Sequence, residues 1–161
     1  MDVSLRLGGQ VVGGVSFDIT ASKTLPILFP PSGGVLAPYM VGTWDLRDGR
    51  ATTLQLVNPT GQYIYALVVL FDDNEKPLKC VREKLSPNDL LELDVRRLVE
   101  KDVGVAKVVS FNNSDFTTPT AGLIGYQRLL TRVGSLSEAP LHQIPAEILK
   151  GDLSLIQAAC K

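Results

Sequence analysis

The chain has 161 residues, 45% of them hydrophobic and 20% charged, a composition that suits one folded domain with a single core and excludes a disordered chain. Sixteen basic against seventeen acidic residues leave a formal net charge of -1, so no global field draws in phosphate backbones and no nucleic-acid partner is implied. No stretch approaches the roughly 18 apolar residues that a membrane helix needs, so no membrane insertion is expected.

Asp2 follows Met1 directly, no basic n-region is present, and Gly8, Gly9, Gly13 and Gly14 interrupt any apolar run. The expected location is therefore the cytoplasm; the alternative is a secreted protein whose leader is absent from this chain. Cys80 and Cys160 are too few for a disulfide framework; a bridge between them is possible but not suggested, and the expected reading is one buried thiol and one free terminal thiol.

In chain order, Gly8 to Gly14 superficially resembles a phosphate loop, but Val15-Ser16 stands where the phosphate-gripping lysine is required. A glycine-rich turn or bulge is the better reading. Val15, Phe17 and Ile19 alternate with Ser16, Asp18 and Thr20, the period of a half-wet strand. Leu25 to Phe29 is a short apolar run closed by a Pro- and Gly-rich loop over 30–34. Strands are then predicted within Val35 to Trp44, over Thr52 to Val57, Tyr63 to Phe71, Leu78 to Leu85, Leu91 to Val95, Val105 to Phe111 and Ala121 to Leu130. Polar turns such as Asn58-Pro59-Thr60-Gly61, Asp72 to Lys76 and Ser86 to Asp89 separate them.

Short strands punctuated every ten residues or so, with no amphipathic helix between them, predict an all-β fold. The expected architecture is an antiparallel two-sheet sandwich, Ig-like or jelly-roll-like, over 1–135. The tail over 136–161 reads differently. Leu136 to Pro145 suggests an extended arm, and Pro145 suits the first turn of a helix that Gly151 ends. Asp152 would cap a second short helix through Cys160, with Leu153, Leu155 and Ile156 as its apolar side. This arm and its helices are expected to pack on the sandwich or on a neighbouring subunit.

The run Tyr63 to Phe71 has no wet face. Ile64, Ala66, Val68 and Leu70 point one way, and Tyr63, Tyr65, Leu67, Val69 and Phe71 the other. Its second face must be covered, either by the chain's own tail or by another subunit.

Catalytic chemistry is sought without success. His142 is the one histidine and has no neighbours at metal-ligand or triad spacing. Asp72, Asp73 and Glu75 lack the spacing of a calcium loop and read as turn residues. Asn112-Asn113-Ser114 fits a glycosylation sequon, which matters only in a secreted chain. Arg96, Arg97, Arg128 and Arg132 offer charge for an anion or acidic partner, set against the ordinary reading of a solvated strand face. Tyr39, Trp44 and Tyr126 offer rings for stacking on a sugar, set against the reading of core aromatics. Tyr39, Trp44, Tyr126 and Arg128 are accordingly the candidate ligand-binding residues. No catalytic residue, metal site or cofactor is indicated.

Several features taken together resemble the sensory-rhodopsin transducer-type bacterial β-sandwich family. They are Thr53-Leu54-Gln55-Leu56-Val57-Asn58, the strand Ala66 to Phe71 ending in Asp72, the closing Leu85-Ser86-Pro87, Leu91 to Leu98, and Val108-Val109 leading to Gln127-Arg128-Leu129. The resemblance covers about half the chain, which adds a long N-terminal part and the tail. It implies a small, soluble, oligomeric sandwich that binds a partner or a small ligand without transforming a substrate. The two-sided run Tyr63 to Phe71 carries the expectation of a non-enzymatic interaction module that self-associates through that apolar face, with a small-ligand or carbohydrate-binding sandwich as the alternative.

Overall fold

Nine strands form two antiparallel sheets packed face to face. They are β3 (Tyr39–Asp45), β4 (Ala51–Val57), β5 (Ile64–Asp72), β6 (Pro77–Leu85), β7 (Leu90–Asp94), β8 (Val103–Phe111), β9 (Ile124–Leu130), β10 (Leu136–Pro140) and β11 (His142–Ile144). One sheet has the order β10-β9-β4-β7 and the other β11-β3-β8-β5-β6. The β5–β6 and β9–β10 connections are hairpins, and every other connection from β3 to β11 crosses between the sheets. The all-β, two-sheet reading of the sequence is thus the fold.

The computed structural model describes residues 36–161, together with the strand backbone of β1 (Asp2–Leu7) and β2 (Gln10–Ser16). These two strands pair antiparallel, with a register shift between Leu5 and Arg6. Gly13 and Gly14 of the glycine-rich stretch therefore lie in the second of these paired, bulged strands. The continuation of the predicted strand through Thr20, the run Leu25 to Phe29 and the loop over 30–34 lie outside the described residues.

Period-two alternation sorts the side chains between layers. Met40 and Trp44 of β3, Ala66, Val68 and Leu70 of β5, and Ala106 and Val108 of β8 face Leu54, Leu56 and Leu93 of the opposite sheet. Gly104 sits opposite Trp44 in this layer. A Cβ there would stand 2.1 Å from the Phe71 carbonyl oxygen and 2.4 Å from Trp44 Cζ2, so the indole occupies the space that a side chain would fill.

The predicted arm is strand throughout, one piece in each sheet. A single residue, Leu141, links β10 to β11 and is completely buried. A Cβ on Gly125 of β9 would lie 2.5 Å from Leu141 Cδ1, and one on Gly42 of β3 would lie 2.4 Å from its Cδ2. Two glycines, each on the strand next to the edge in its own sheet, thus make the hole that this leucine fills, closing one side of the sandwich. The boundary drawn between 135 and 136 falls inside the β9–β10 hairpin, so the tail is built into both sheets.

The two short helices predicted from Gly151 are one helix, α1 (Ala146–Ala158). Gly151 faces open space. Its cost there is about 1 kcal/mol of helix propensity, too little to break a helix held by tertiary packing. Leu149 and Ile156, with Leu153, press onto Tyr39, Leu67, Val69, Phe71, Val109 and Phe111 on the outer face of the five-stranded sheet. Leu155, expected on the apolar side, is 44% exposed. Of the two coverings open for the β5 run, the chain supplies its own.

The expected free thiols are a correction. Cys80 and Cys160 form a disulfide across 80 residues of sequence. Cys80 is an outward-facing residue of edge strand β6, and α1 crosses the sheet so that its far end reaches that edge. The pairing depends on the path of the helix, which residue spacing does not reveal.

Candidate functional site

The four residues singled out for ligand binding separate into two pairs. Tyr39 is 1% exposed beneath α1, and Trp44 is 2% exposed between the sheets. Neither ring offers a face to a ligand, so both are corrected to core residues. The Trp44 indole N–H has no hydrogen-bond partner among the described residues, and burial of the large ring offsets that cost. Tyr126 and Arg128, two residues apart on β9, share the outer face of the four-stranded sheet.

Strand register fixes what surrounds them. Arg128 pairs with Glu138 on β10 and Thr53 on β4, whereas Tyr126 pairs with Pro140 and Gln55. Gln55 in turn lies opposite Glu92 on β7, and Thr53 opposite Asp94. Arg128 Nη2 donates to Glu138 Oε1 at 3.3 Å, and Gln55 Nε2 donates to Glu92 Oε1. Burial, then the Glu138 carboxylate, pushes the Tyr126 phenol up from its usual value. Apolar rows flank this polar band. Leu136, Leu130 and Ala51 lie at one end, and Ile124, Val57 and Leu90 at the other. Leu136 is 58%, Leu90 53% and Leu130 45% exposed, and Val133 projects from the adjoining turn at 87%. The face therefore combines a ring, paired charges and accessible apolar surface, the composition of a contact patch.

The opposite sheet carries a second polar cluster, under α1. Tyr39 Oη donates to Asp152 Oδ2 at 2.7 Å, and Lys107 Nζ reaches the same oxygen at 3.2 Å while lying 5.3 Å from the centre of the Phe71 ring. The Tyr39 hydrogen bond, then Lys107, holds the Asp152 carboxyl below its usual range. A depressed folded value means that this contribution to stability is present above the ordinary carboxylate pKa of about 4 and disappears as pH falls through the folded value. Asp152→Asn should therefore flatten the acid limb of a Tm-against-pH curve between pH 2 and 6, and Tyr39→Phe should remove the larger share. An unchanged acid limb in both variants would contradict this assignment. Asp152 is thus a link between helix and sheet, not the helix cap expected from sequence.

The remaining candidates are structural. Asp72 Oδ1 accepts from the backbone N–H groups of Asn74 and Lys76 and shapes the β5–β6 turn. Arg47 and Arg50 converge on Asp45 and hold its carboxyl well below the usual range, with the Arg47 hydrogen bond as the leading cause. Asp94 accepts from the backbone of Arg96 and pairs with Arg97. His142 is exposed on β11. Asn113 Oδ1 accepts from the backbone of Thr117 and Thr118, which folds the loop carrying the sequon. No metal-ligating cluster is found among the described residues.

Sequence reasoning missed Asn58, which is wholly buried. Its amide donates to the carbonyls of Gln62 at 2.7 Å, Ser86 at 2.9 Å and Leu85 at 3.2 Å, and its Oδ1 accepts from Thr60. It also missed Phe116, whose φ of 54° is rare for a bulky residue. Phe111 and Tyr65 meet its ring edge-on, and Gln157 of α1 donates to its carbonyl at 2.8 Å. Neither role has a local sequence signal.

No family model matches the chain, and no curated protein matches it. The crystal structure of Thermotoga maritima 1070 superposes with a TM-score of 0.51 at 12% identity, over 67% of this chain and 95% of that one. The Anabaena sensory rhodopsin transducer is matched more weakly, at a TM-score of 0.39 and 8% identity, over 77% of this chain and 97% of that one. The resemblance read from sequence thus has a weak structural counterpart, and at these identities the likeness is one of fold alone.

Proposed function

We propose that the chain is a non-enzymatic interaction module that associates with a second copy of itself through the outer face of the four-stranded sheet. One observation carries this reading: α1 covers the outer face of one sheet, while the other sheet presents Leu130, Leu136 and Leu90 to solvent. The apolar face of β5, which the sequence offered as the contact, is already occupied by α1, so the contact moves to the other sheet. An apolar row at each end of a polar band suits a self-complementary, two-fold interface, because either end meets apolar surface on the partner. Leu136→Asp tests this. The side chain is 58% exposed, so folding should survive, whereas self-affinity should fall roughly tenfold or more. An unchanged association equilibrium would remove this face from the account.

A second reading rests on the adjacency of Tyr126 and Arg128. A ring beside paired polar groups on an open sheet is a platform for a sugar or another small polar ligand. Titration of the intact chain with a panel of sugars and metabolites, followed by amide chemical shifts, should then move Gly125 to Leu129 selectively. Silence there across the panel argues against a ligand.

A further inference from the structure

We propose that the Cys80–Cys160 disulfide is a thiol-exchange site, and that its reduction by a dithiol releases α1 from the five-stranded sheet. Three observations converge on it. The first is access. Both cysteines are part-exposed and line an open surface groove with Pro77, Lys79, Arg82 and Lys161.

The second observation is charge. Lys79, Arg82 and Lys161 line the same groove as the two cysteines, and Arg82, on the face of β6 that carries Cys80, also donates to the Cys160 carbonyl. Cations favour an incoming thiolate and stabilise the sulfur that departs as thiolate, the step that governs exchange rates. One thiolate of the dithiol forms a bond to one protein sulfur, and the Cys80–Cys160 bond breaks. The second reductant thiol then displaces the protein from the mixed disulfide. Two electrons pass to the protein, which ends with two thiols, and the reductant closes as its own disulfide.

The third observation is how little else holds the helix. Leu149 and Ile156 are its only fully buried side chains, Leu153 packs part-buried beside them, and Ile148 and Leu155 face solvent. Its polar ties are Asp152 to Tyr39 and Lys107, and Gln157 to the carbonyl of Phe116, a residue in the left-handed region. An isolated helix of 13 residues is marginal in water, so its place on the sheet rests on this packing and these ties together with the tether. The two-sheet core, by contrast, draws on neither cysteine. Reduction therefore frees the helix and uncovers Leu67, Val69 and Phe71 while leaving the sandwich intact.

The test is to reduce the oxidised full chain with dithiothreitol at neutral pH without denaturant. Thiols are counted by maleimide mass shift, and hydrogen exchange is followed by mass spectrometry. Complete reduction is expected, with protection over 146–160 falling roughly tenfold or more and protection in β4, β8 and β9 kept. Cys160→Ser should show the same pattern without reductant, and Lys79→Glu with Lys161→Glu should slow reduction roughly threefold or more. Reduction that proceeds only in unfolding denaturant would overturn the proposal. So would helix protection that survives reduction, a reduced chain that loses protection throughout, or a rate indifferent to the charge reversals.

Discussion

Asn58→Asp should cost about 4 kcal/mol at neutral pH, the scale of a buried charge left without a partner. The native amide points two N–H bonds at three carbonyls, those of Gln62, Leu85 and Ser86, at a site with no exposure. A carboxylate there replaces donors with acceptors and meets the three carbonyls oxygen to oxygen. Only protonation restores a donor, so the folded pKa of the new group must lie above its unfolded value near 4. The folded state then holds more protons than the unfolded one, and stability falls as pH rises through that window, opposite to Asp152. Urea denaturation of variant and parent at pH 4 and pH 7 checks both size and sign. A loss under about 1 kcal/mol, or a loss independent of pH, would show that the β4–β5 and β6–β7 loops do not hang on this side chain.

Gly104→Ala should cost about 3 kcal/mol, the upper part of the range for overpacking a filled core. The added methyl would stand 2.1 Å from the Phe71 carbonyl oxygen, which is ladder backbone, and 2.4 Å from the Trp44 ring. Neither neighbour is the far end of a flexible side chain. The strands must separate or the indole must leave its place between the sheets, and Trp44 fluorescence reports which. A shift in the urea midpoint at constant slope, with a red-shifted native spectrum, is the expected result. Full stability in this variant would mean that Trp44 does not seal that end of the core.

The strands were legible because their signals are local. Alternation and turn residues placed β4 to β9 within a few residues, and the two-sided apolar run of β5 announced a covering for its second face. The covering itself was not legible. It required knowing that a tail with a glycine at its centre would form one helix and cross the sheet to the β6 edge, where Cys80 meets Cys160. The same limit divided the candidate site. Tyr126 and Arg128 sit two apart on a strand, so sharing a face was implicit in their spacing. Tyr39 and Trp44 also lie on one strand, but at odd separation, so they face opposite layers, and each layer proved to be buried. Asn58 carries every mark of an exposed turn residue. Only the convergence of two distant loops makes it a buried hub, and pairwise convergence leaves no trace in a single sequence.

Self-association through the outer face of the four-stranded sheet is tested most directly by the molar mass in solution. Light scattering behind size exclusion, on the oxidised full chain at several concentrations, should give a discrete dimer that shifts to monomer in Leu136→Asp. A strict monomer at every concentration would contradict self-association and leave the outer face of that sheet to a ligand or to a different protein.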